Sequence, residues 1–377
     1  MSGGISSFTS QDCESMARAL RLAERGRYTA HPNPVVGCVL VKNGAVVGEG
    51  FHEKTGDAHA EVNALQAAGE AARGSIAYVT LEPCAHHGRT PPCAEALIAA
   101  GVGKVIVAMQ DPSKDASGRG SGMLVDAGIE VQTGLMESAA ASLNRGFLKR
   151  VTVERPLLRL KLAASIDGAI AMASGESQWI TGAQARRDVQ RLRARSGAVM
   201  TGIGTVLSDD PSLNVRASEI DTGGLQPIRV VLDSRLRMPL AAGMLALSGT
   251  TLVCCTGDID ASEFQKSNAE VMAFPDIEGR VDADSVLQEL AARGVNEVLV
   301  EAGAELAGNL LERDLVDELV IYQAPHIIGS QTIGLVNTPS WASLSDRRAL
   351  TVTDVRRIGR DTRITATLGQ SGQTKDT

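Results

Sequence analysis

His59, Glu61, Cys84 and Cys93 are the residues of this chain best suited to chemistry. One imidazole and two thiolates can fill three corners of a zinc tetrahedron, leaving the fourth open for water. An open corner marks a catalytic metal rather than a structural one. Glu61 stands two residues from His59, close enough to exchange a proton with that water without ligating the metal. A closed structural zinc is the competing arrangement. It needs a fourth ligand, such as His86 or His87, and it leaves Glu61 without a role. Cys13, Cys38, Cys254 and Cys255 read as small buried hydrophobes.

These residues need elements to hold them. Apolar spacing at Met16, Ala19, Leu20 and Ala23 predicts a helix over 12–26. Strands are expected at 35–41 and 45–50, joined by a turn at Lys42-Asn43-Gly44. A helix follows at 59–72 and a buried strand at 76–81. Pro91-Pro92 suits the first turn of a helix reaching Ala100. Further strands fall at 104–109 and 129–133, then a closing helix at 137–149. His59 and Cys93 thus stand at helix starts, where the positive end of the dipole favours thiolate and hydroxide. The alternation predicts an α/β sandwich. Residues 151–156 are the expected linker, giving units 1–150 and 151–377. Apolar strands in the second half are expected at 157–164, 198–201, 228–232, 251–255, 298–301 and 318–322. The polar stretch 368–377 is expected to be a disordered tail.

At 377 residues the chain is long enough for two domains, and 44% hydrophobic content supports a core in each. A net charge of −7 and 3% aromatic residues argue against binding a phosphate backbone or stacking a nucleic-acid strand. Six Cys show no disulfide-like density. Residues 1–10 lack a signal core, and no apolar stretch approaches a membrane span. A soluble, cytoplasmic protein is expected.

Zinc-dependent base deaminases combine His-x-Glu with Pro-Cys-x-x-Cys. The second half is stretched here, with the eight residues 85–92 between the two Cys. Leu81-Glu82-Pro83-Cys84-Ala85-His86-His87-Gly88-Arg89-Thr90-Pro91-Pro92-Cys93 resembles the deaminase domain of the bifunctional riboflavin-biosynthesis deaminase/reductase family. His31-Pro32-Asn33-Pro34-Val35-Val36-Gly37 fits the same family, which implies a substrate contact for Asn33. Ala85 departs from the Ser expected there, and no ligand is affected.

The second half has no early Gly-x-Gly-x-x-Gly. Gly303-Ala304-Glu305-Leu306-Ala307-Gly308-Asn309 follows an apolar strand and opens a helix. Such a turn can hold a phosphate on its N–H groups, although most turns of this kind are structural. Lys161 to Gly168, Gly175 to Thr181, Gly202 to Arg216, Val300 to Gly303 and Leu315 to Leu319 resemble the reductase domain of the same family. Ala164 and Ala169 stand where larger residues are expected, and Asp111-Pro112-Ser113-Lys114-Asp115 varies from the family's Asp-Pro-Asn run.

The resemblance implies a cytidine-deaminase-like α/β/α sandwich followed by a dihydrofolate-reductase-like α/β domain using NADPH. It places Ala163, Trp179, Thr205, Asp209 and 303–309 at the cofactor, with Trp179 serving also in the core. It places Ser177, Arg193, Leu213, Arg216 and Glu301 at the substrate. Ser234 and Arg235 end an apolar strand with a hydroxyl and a guanidinium, which suits a 2′-phosphate. Asp233 would favour NAD if its carboxylate faced the ribose, and the family's use of NADPH tilts the choice to Ser234 and Arg235. Arg193 and Arg216 could equally be surface charges, Asp209 a helix cap, and 233–235 a solvated turn. The implied reaction removes a ring amine from a phosphoribosylaminopyrimidinone, then reduces its ribose to a ribityl chain. A small-molecule substrate and a homo-oligomer are expected, with no nucleic-acid or membrane partner. A single-activity deaminase with a non-catalytic second domain is the alternative, and a nucleic-acid-editing deaminase is a third.

Overall fold

The structure is a computed structural model that describes residues 8–85, 91–113, 117–257, 259–339 and 343–368. The chain divides into two compact units, Met1–Val153 and Glu154–Thr377.

The first unit opens with α1 (Ser10–Arg25), started by a capping box. Thr9 Oγ1 accepts from the Asp12 N–H at 3.2 Å, and the Asp12 carboxylate accepts from the Thr9 N–H at 2.7 Å. β1 (Gly37–Lys42) and β2 (Ala45–Phe51) form a hairpin whose turn residues, Asn43 and Gly44, both have positive φ. Then come α2 (Ala60–Ala68), β3 (Ile76–Val79), α3 (Cys93–Ala100), β4 (Lys104–Val107), α4 (Arg119–Asp126), β5 (Glu130–Thr133), α5 (Glu137–Leu143) and α6 (Arg145–Val153). The sheet order is β2-β1-β3-β4-β5, with β3, β4 and β5 parallel. Alternate β1 residues feed opposite faces. Cys38 and Leu40 pack with Ala64, Leu97 and Leu124, whereas Val39 and Val41 pack with Met16, Ala19 and Ala140. This is an α/β/α sandwich.

Local details differ from the sequence expectation. The helix expected over 59–72 ends at Ala68 and tightens into a 3₁₀ turn, Gly69–Ala72. Pro91 and Pro92 precede α3, with Pro92 as its N-cap. The single helix expected over 137–149 is broken at Asn144. That buried side chain pins Val35 instead, accepting from its N–H at 2.8 Å and donating to its carbonyl at 3.0 Å. Because α6 runs to Val153, the first three residues of the expected 151–156 linker are helical. Cys13 is exposed rather than buried, since α1 turns Met16, Ala19 and Leu20 inward instead.

The second unit contains β6 (Leu157–Ser165), β7 (Ala169–Met172), α7 (Ala183–Arg195), β8 (Ala198–Gly202), α8 (Ile203–Asp209), β9 (Ile228–Leu232), β10 (Thr251–Thr256) and β11 (Ala269–Phe274). It continues with β12 (Asp276–Ile277), β13 (Arg280–Val281), α9 (Ala283–Ala292), β14 (Glu297–Glu301), α10 (Ala304–Glu312), β15 (Glu318–Ala324), β16 (Thr332–Gly334), β17 (Leu350–Ile358) and β18 (Asp361–Leu368). The main sheet runs β11-β10-β9-β8-β14-β6-β15-β18-β17. It is parallel from β11 to β15, and β18 and β17 add antiparallel to its edge. Val230, Val298 and Val300 fill one face, and Val231, Leu299 and Val320 fill the other. A buried ion network crosses three neighbouring strands: Arg159 of β6 contacts Glu318 of β15, and its Nη1 lies 2.9 Å from Glu297 of β14. Leu368, expected in the tail, closes β18. The rest of that tail lies outside the described residues, as do His86, His87, Lys114 and Asp115.

Candidate active sites

Three segments converge in the first unit. His59 caps α2 in an extended conformation without using its ring on the helix. Cys84 follows β3, and Cys93 is the first residue of α3. His59 Nδ1 lies 3.2 Å from Cys93 Sγ and 3.6 Å from Cys84 Sγ, and all three candidate ligand atoms fall within 4.8 Å of one another. The Cys93 N–H donates to Cys84 Sγ at 3.2 Å, so a helix N-terminus helps hold that sulfur.

The electrostatics fit a cation. Hydrogen bonds from Cys93 and His59 bring Cys84 down to about 4 despite burial, while the bond to Cys84 and burial push Cys93 up. The bond to Cys84 also raises His59. The three groups are close enough to shift one another's protonation, as ligands of one divalent metal would be. An imidazole and two sulfurs at this spacing suit zinc. Glu61, in the first turn of α2, is 3% exposed. Burial pushes its carboxyl up to about 7, with the negative Cys84 adding to the shift. Its interactions with Cys84, His59 and Cys93 place it beside the cluster.

One member of this site was missed from the sequence. His52 is 3% exposed, and its ring meets that of His59 edge-on at 5.3 Å. Its Nδ1 lies 3.2 Å from the Ala58 carbonyl, which can only accept, so that nitrogen carries the proton. Nε2 then accepts from Asn33 Nδ2 at 3.0 Å, which fixes the Asn33 amide and leaves its Oδ1 free to accept. A histidine just beyond the apolar strand β2 was the available signal.

Candidate groups of the second unit lie at the carboxyl ends of parallel strands, where ligands of open α/β sheets bind. At β14, Glu301 takes a bidentate contact from Arg193 of α7, with Nε–Oε1 at 2.6 Å and Nη2–Oε2 at 3.1 Å. Arg193 is 7% exposed and also donates to Asn214 O at 3.0 Å, so it is no ordinary surface charge. Burial pushes Glu301 up, but Arg193 outweighs it and holds the carboxyl below its usual range. Lys161 joins this pair. Burial lowers its ammonium, Glu301 favours it and Arg193 opposes it. A lysine inside the apolar strand Leu160-Lys161-Leu162 was the signal overlooked. Arg216 is exposed near the same charges.

Gly303 caps α10 in an extended conformation with no side-chain cap, and a Cβ built there meets nothing within 4 Å. This leaves room for a phosphate against the N–H groups of Ala304, Glu305 and Leu306. Gly202 likewise precedes α8, which contains Thr205. Further along α10 the expected contacts become structural. Ala307 is fully buried, and a Cβ on Gly308 would strike Asn337 O at 1.7 Å, while Asn309 is half-buried on the same helix.

Other expected residues are placed as follows. Ala163 is half-buried in β6, and Ser177 is half-buried ahead of α7. Trp179 is 64% exposed, so it is not a core residue; its ring lies 4.5 Å under the Arg186 guanidinium. Leu213 is 1% exposed within the core, so only its backbone is available to a substrate. Asp209 ends α8 instead of capping its start. Ser234 and Arg235 follow β9, and Arg235 is exposed.

Comparison with known proteins agrees with both halves. Residues 9–109 match the model of the cytidine and deoxycytidylate deaminase zinc-binding region, and 156–364 match the RibD C-terminal domain. The riboflavin biosynthesis protein RibD of Escherichia coli K12 is 50% identical over 93% of this chain and 98% of its own length. The Haemophilus influenzae RibD is 48% identical over 96% and 98%. The solved structure of Acinetobacter baumannii RibD, 45% identical, superposes with a TM-score of 0.90 over 96% of this chain and 99% of that one. A Thermotoga maritima structure, 31% identical, superposes with a TM-score of 0.83 over 95% and 99%. That protein is described as a diaminohydroxyphosphoribosylaminopyrimidine deaminase/5-amino-6-(5-phosphoribosylamino)uracil reductase. With a zinc-binding deaminase half and a reductase half along one chain, this protein belongs to the RibD family of bifunctional riboflavin-biosynthesis enzymes.

Proposed function

We propose that Met1–Val153 deaminates the diaminopyrimidinone named for the Thermotoga relative, and that Glu154–Thr377 reduces the ribosyl side chain of the resulting aminouracil to ribityl. The observation carrying the first step is the cluster of His59, Cys84 and Cys93 with the buried Glu61 beside it. His59, Cys84 and Cys93 hold zinc. When bound, zinc supplies Lewis acidity, which makes water acidic enough to lose a proton near neutral pH. The Glu61 carboxylate would accept that proton and pass it to the ring nitrogen as the hydroxide adds to the carbon bearing the amine. It would then take the second proton from the added hydroxyl and pass it to the departing amine, which leaves as ammonia. Asn33, oriented by His52, accepts from a ring or amine N–H of the substrate.

In the second unit, Arg216 and the Arg193–Glu301 pair face the phosphoribosyl portion, with Ser177 and the Leu213 backbone beside it. NADPH, when bound, supplies hydride. The first turn of α10 would hold its pyrophosphate, Ala163, Trp179, Thr205 and Asp209 would border it, and Ser234 and Arg235 would hold its 2′-phosphate. Membership of one family across both halves favours this reading over a deaminase with an idle second domain. No described helix is long and apolar enough to cross a membrane. Free cysteines and a net charge of −7 support a cytoplasmic enzyme acting on a small molecule rather than on nucleic acid. A homo-oligomer is part of the same reading.

Glu61→Gln tests the proton role. The variant keeps zinc by elemental analysis and still oxidises NADPH with the deaminated intermediate. Ammonia release falls by roughly 10²–10⁴-fold, the range for a positioned acid–base group. Stoichiometric loss of zinc from a folded Glu61→Gln protein would make Glu61 a ligand instead.

A further inference from the structure

Asp233 follows β9 at its carboxyl end, where an acidic side chain ordinarily receives a ribose hydroxyl and favours a cofactor without a 2′-phosphate. Its placement here excludes that role. The residue is wholly buried, and its Oδ2 accepts the Met238 N–H at 2.8 Å. Burial pushes the carboxyl up, and the N–H groups of Met238, Arg237 and Arg235 work against that shift. Oδ1 lies 3.9 Å from Arg237 Nε. The carboxylate is therefore turned under the loop that follows it.

That loop is also tied from outside. The Ser234 carbonyl accepts from the Thr256 N–H at 3.3 Å and from Thr256 Oγ1 at 2.9 Å. Ser234 Oγ accepts the Val281 N–H at 3.0 Å, which leaves its own O–H to donate elsewhere. Leu236 turns the chain at a φ of 50°. Arg237 is drawn toward Asp233, whereas the exposed Arg235 guanidinium has no hydrogen bond or ion pair among the described residues. β9 lies two strands from β14 in the sheet, about 10 Å at the usual strand spacing. One adenosine can bridge from the first turn of α10 to Ser234 and Arg235 over that distance.

We propose that Asp233 is a positioning residue: its buried carboxylate holds 234–238 so that the Ser234 hydroxyl and Arg235 meet a 2′-phosphate, setting the preference for NADPH over NADH without touching either cofactor. This rests on the NADPH reading of the same site.

The test uses the full chain with Asp233→Ala and Asp233→Asn. Calorimetry measures binding of NADPH, NADH, adenosine 2′,5′-bisphosphate and adenosine 5′-monophosphate. Asp233→Ala weakens NADPH and the bisphosphate about tenfold, the scale of one charge-assisted contact, and leaves NADH and the monophosphate nearly unchanged. Asp233→Asn keeps one acceptor for Met238, folds even where the alanine variant does not, and shows the same bias at smaller size. Adding Arg235→Ala to Asp233→Ala costs less than Arg235→Ala alone, because both act through one loop. Equal losses for both cofactors would reduce Asp233 to a general prop. Tighter NADH with unchanged NADPH would show that it reads the ribose. Wild-type protein that bound both cofactors equally would fail the NADPH reading itself, before any variant is compared.

Discussion

His59, Cys84 and Cys93 bring their ligand atoms within 4.8 Å of one another, while the candidate groups of the second unit are spread over the ends of β6, β8, β9 and β14. In the first site His59 and Cys93 stand at the starts of α2 and α3, whose core residues fix them, and the Cys93 N–H holds Cys84 Sγ at 3.2 Å. In the second, Arg193–Glu301 is already closed, whereas Arg216 and Arg235 stand exposed. A metal centre needs its ligand atoms gathered within a few ångströms of one point. A dinucleotide is long and can be gathered from several weaker points. The two sites should therefore fail in different ways.

Metal removal makes the largest difference between them. Dialysis against a chelator should abolish ammonia release and leave NADPH oxidation with the deaminated intermediate unchanged. The measurement is both activities on one sample, before and after zinc is restored. Loss of both activities together would mean that the metal supports the whole chain, and the contrast between the sites would fall.

Arg193→Ala should come next. It strands the Glu301 carboxylate, whose side chain is 15% exposed, with Lys161 and the more distant Arg216 as the cations still acting on it. Breaking a buried pair from one side costs about 3–5 kcal/mol, and the reductase rate should fall with it. Denaturant unfolding followed by tryptophan fluorescence reads this cleanly, since both tryptophans, Trp179 and Trp341, belong to the second unit. Deamination should not change. Arg193→Lys keeps the charge but loses the two-point contact, so it should recover only part of the loss. A stability change near zero would return Arg193 to the class of surface charges.

The same contrast governs what could be read from the sequence. A chelate needs fixed residue types at fixed spacing, so His59, Glu61, Cys84 and Cys93 stood out, as did the hairpin turn at Asn43-Gly44. Positions set by long-range contacts did not. Asn144 leaves its helix to hold Val35, 109 residues away, and nothing local announces that. β17 and β18 were missed although Ile364, Ala366 and Leu368 alternate with Arg363, Thr365 and Thr367 in β18; only β17, at the exposed edge with Asp354, Arg356 and Arg357, carries a weak pattern. Trp179 was expected partly in the core, whereas its ring lies exposed against Arg186. His52 and Lys161 were legible only as polar residues in apolar surroundings, which marks an anomaly without saying what it serves.

The smallest of these effects concerns the floor of the second unit, at the opposite ends of the strands from its site. Burial pushes Glu297 up, but Arg195 and Arg159 outweigh it and hold the carboxyl at about 2, against an ordinary 4.5. The folded value lies below the unfolded one, so the unfolded chain takes up this proton first as the pH drops. The stability from Glu297 is therefore fully present above 4.5 and is lost as the pH falls from there through about 2. Two and a half pH units correspond to about 3 kcal/mol, an upper bound while the Arg159 network shares the charge. Tryptophan-monitored unfolding at a series of pH values between 5 and 2.5 should show this loss in the second unit. Glu297→Gln should be less stable at neutral pH, because Arg159 then keeps only Glu318 within the strands, and its acid slope should be shallower. An unchanged slope in that variant would mean that other carboxylates drive acid unfolding. It would also remove the distinction between a floor locked by paired charges and a rim whose Arg216 and Arg235 stay exposed.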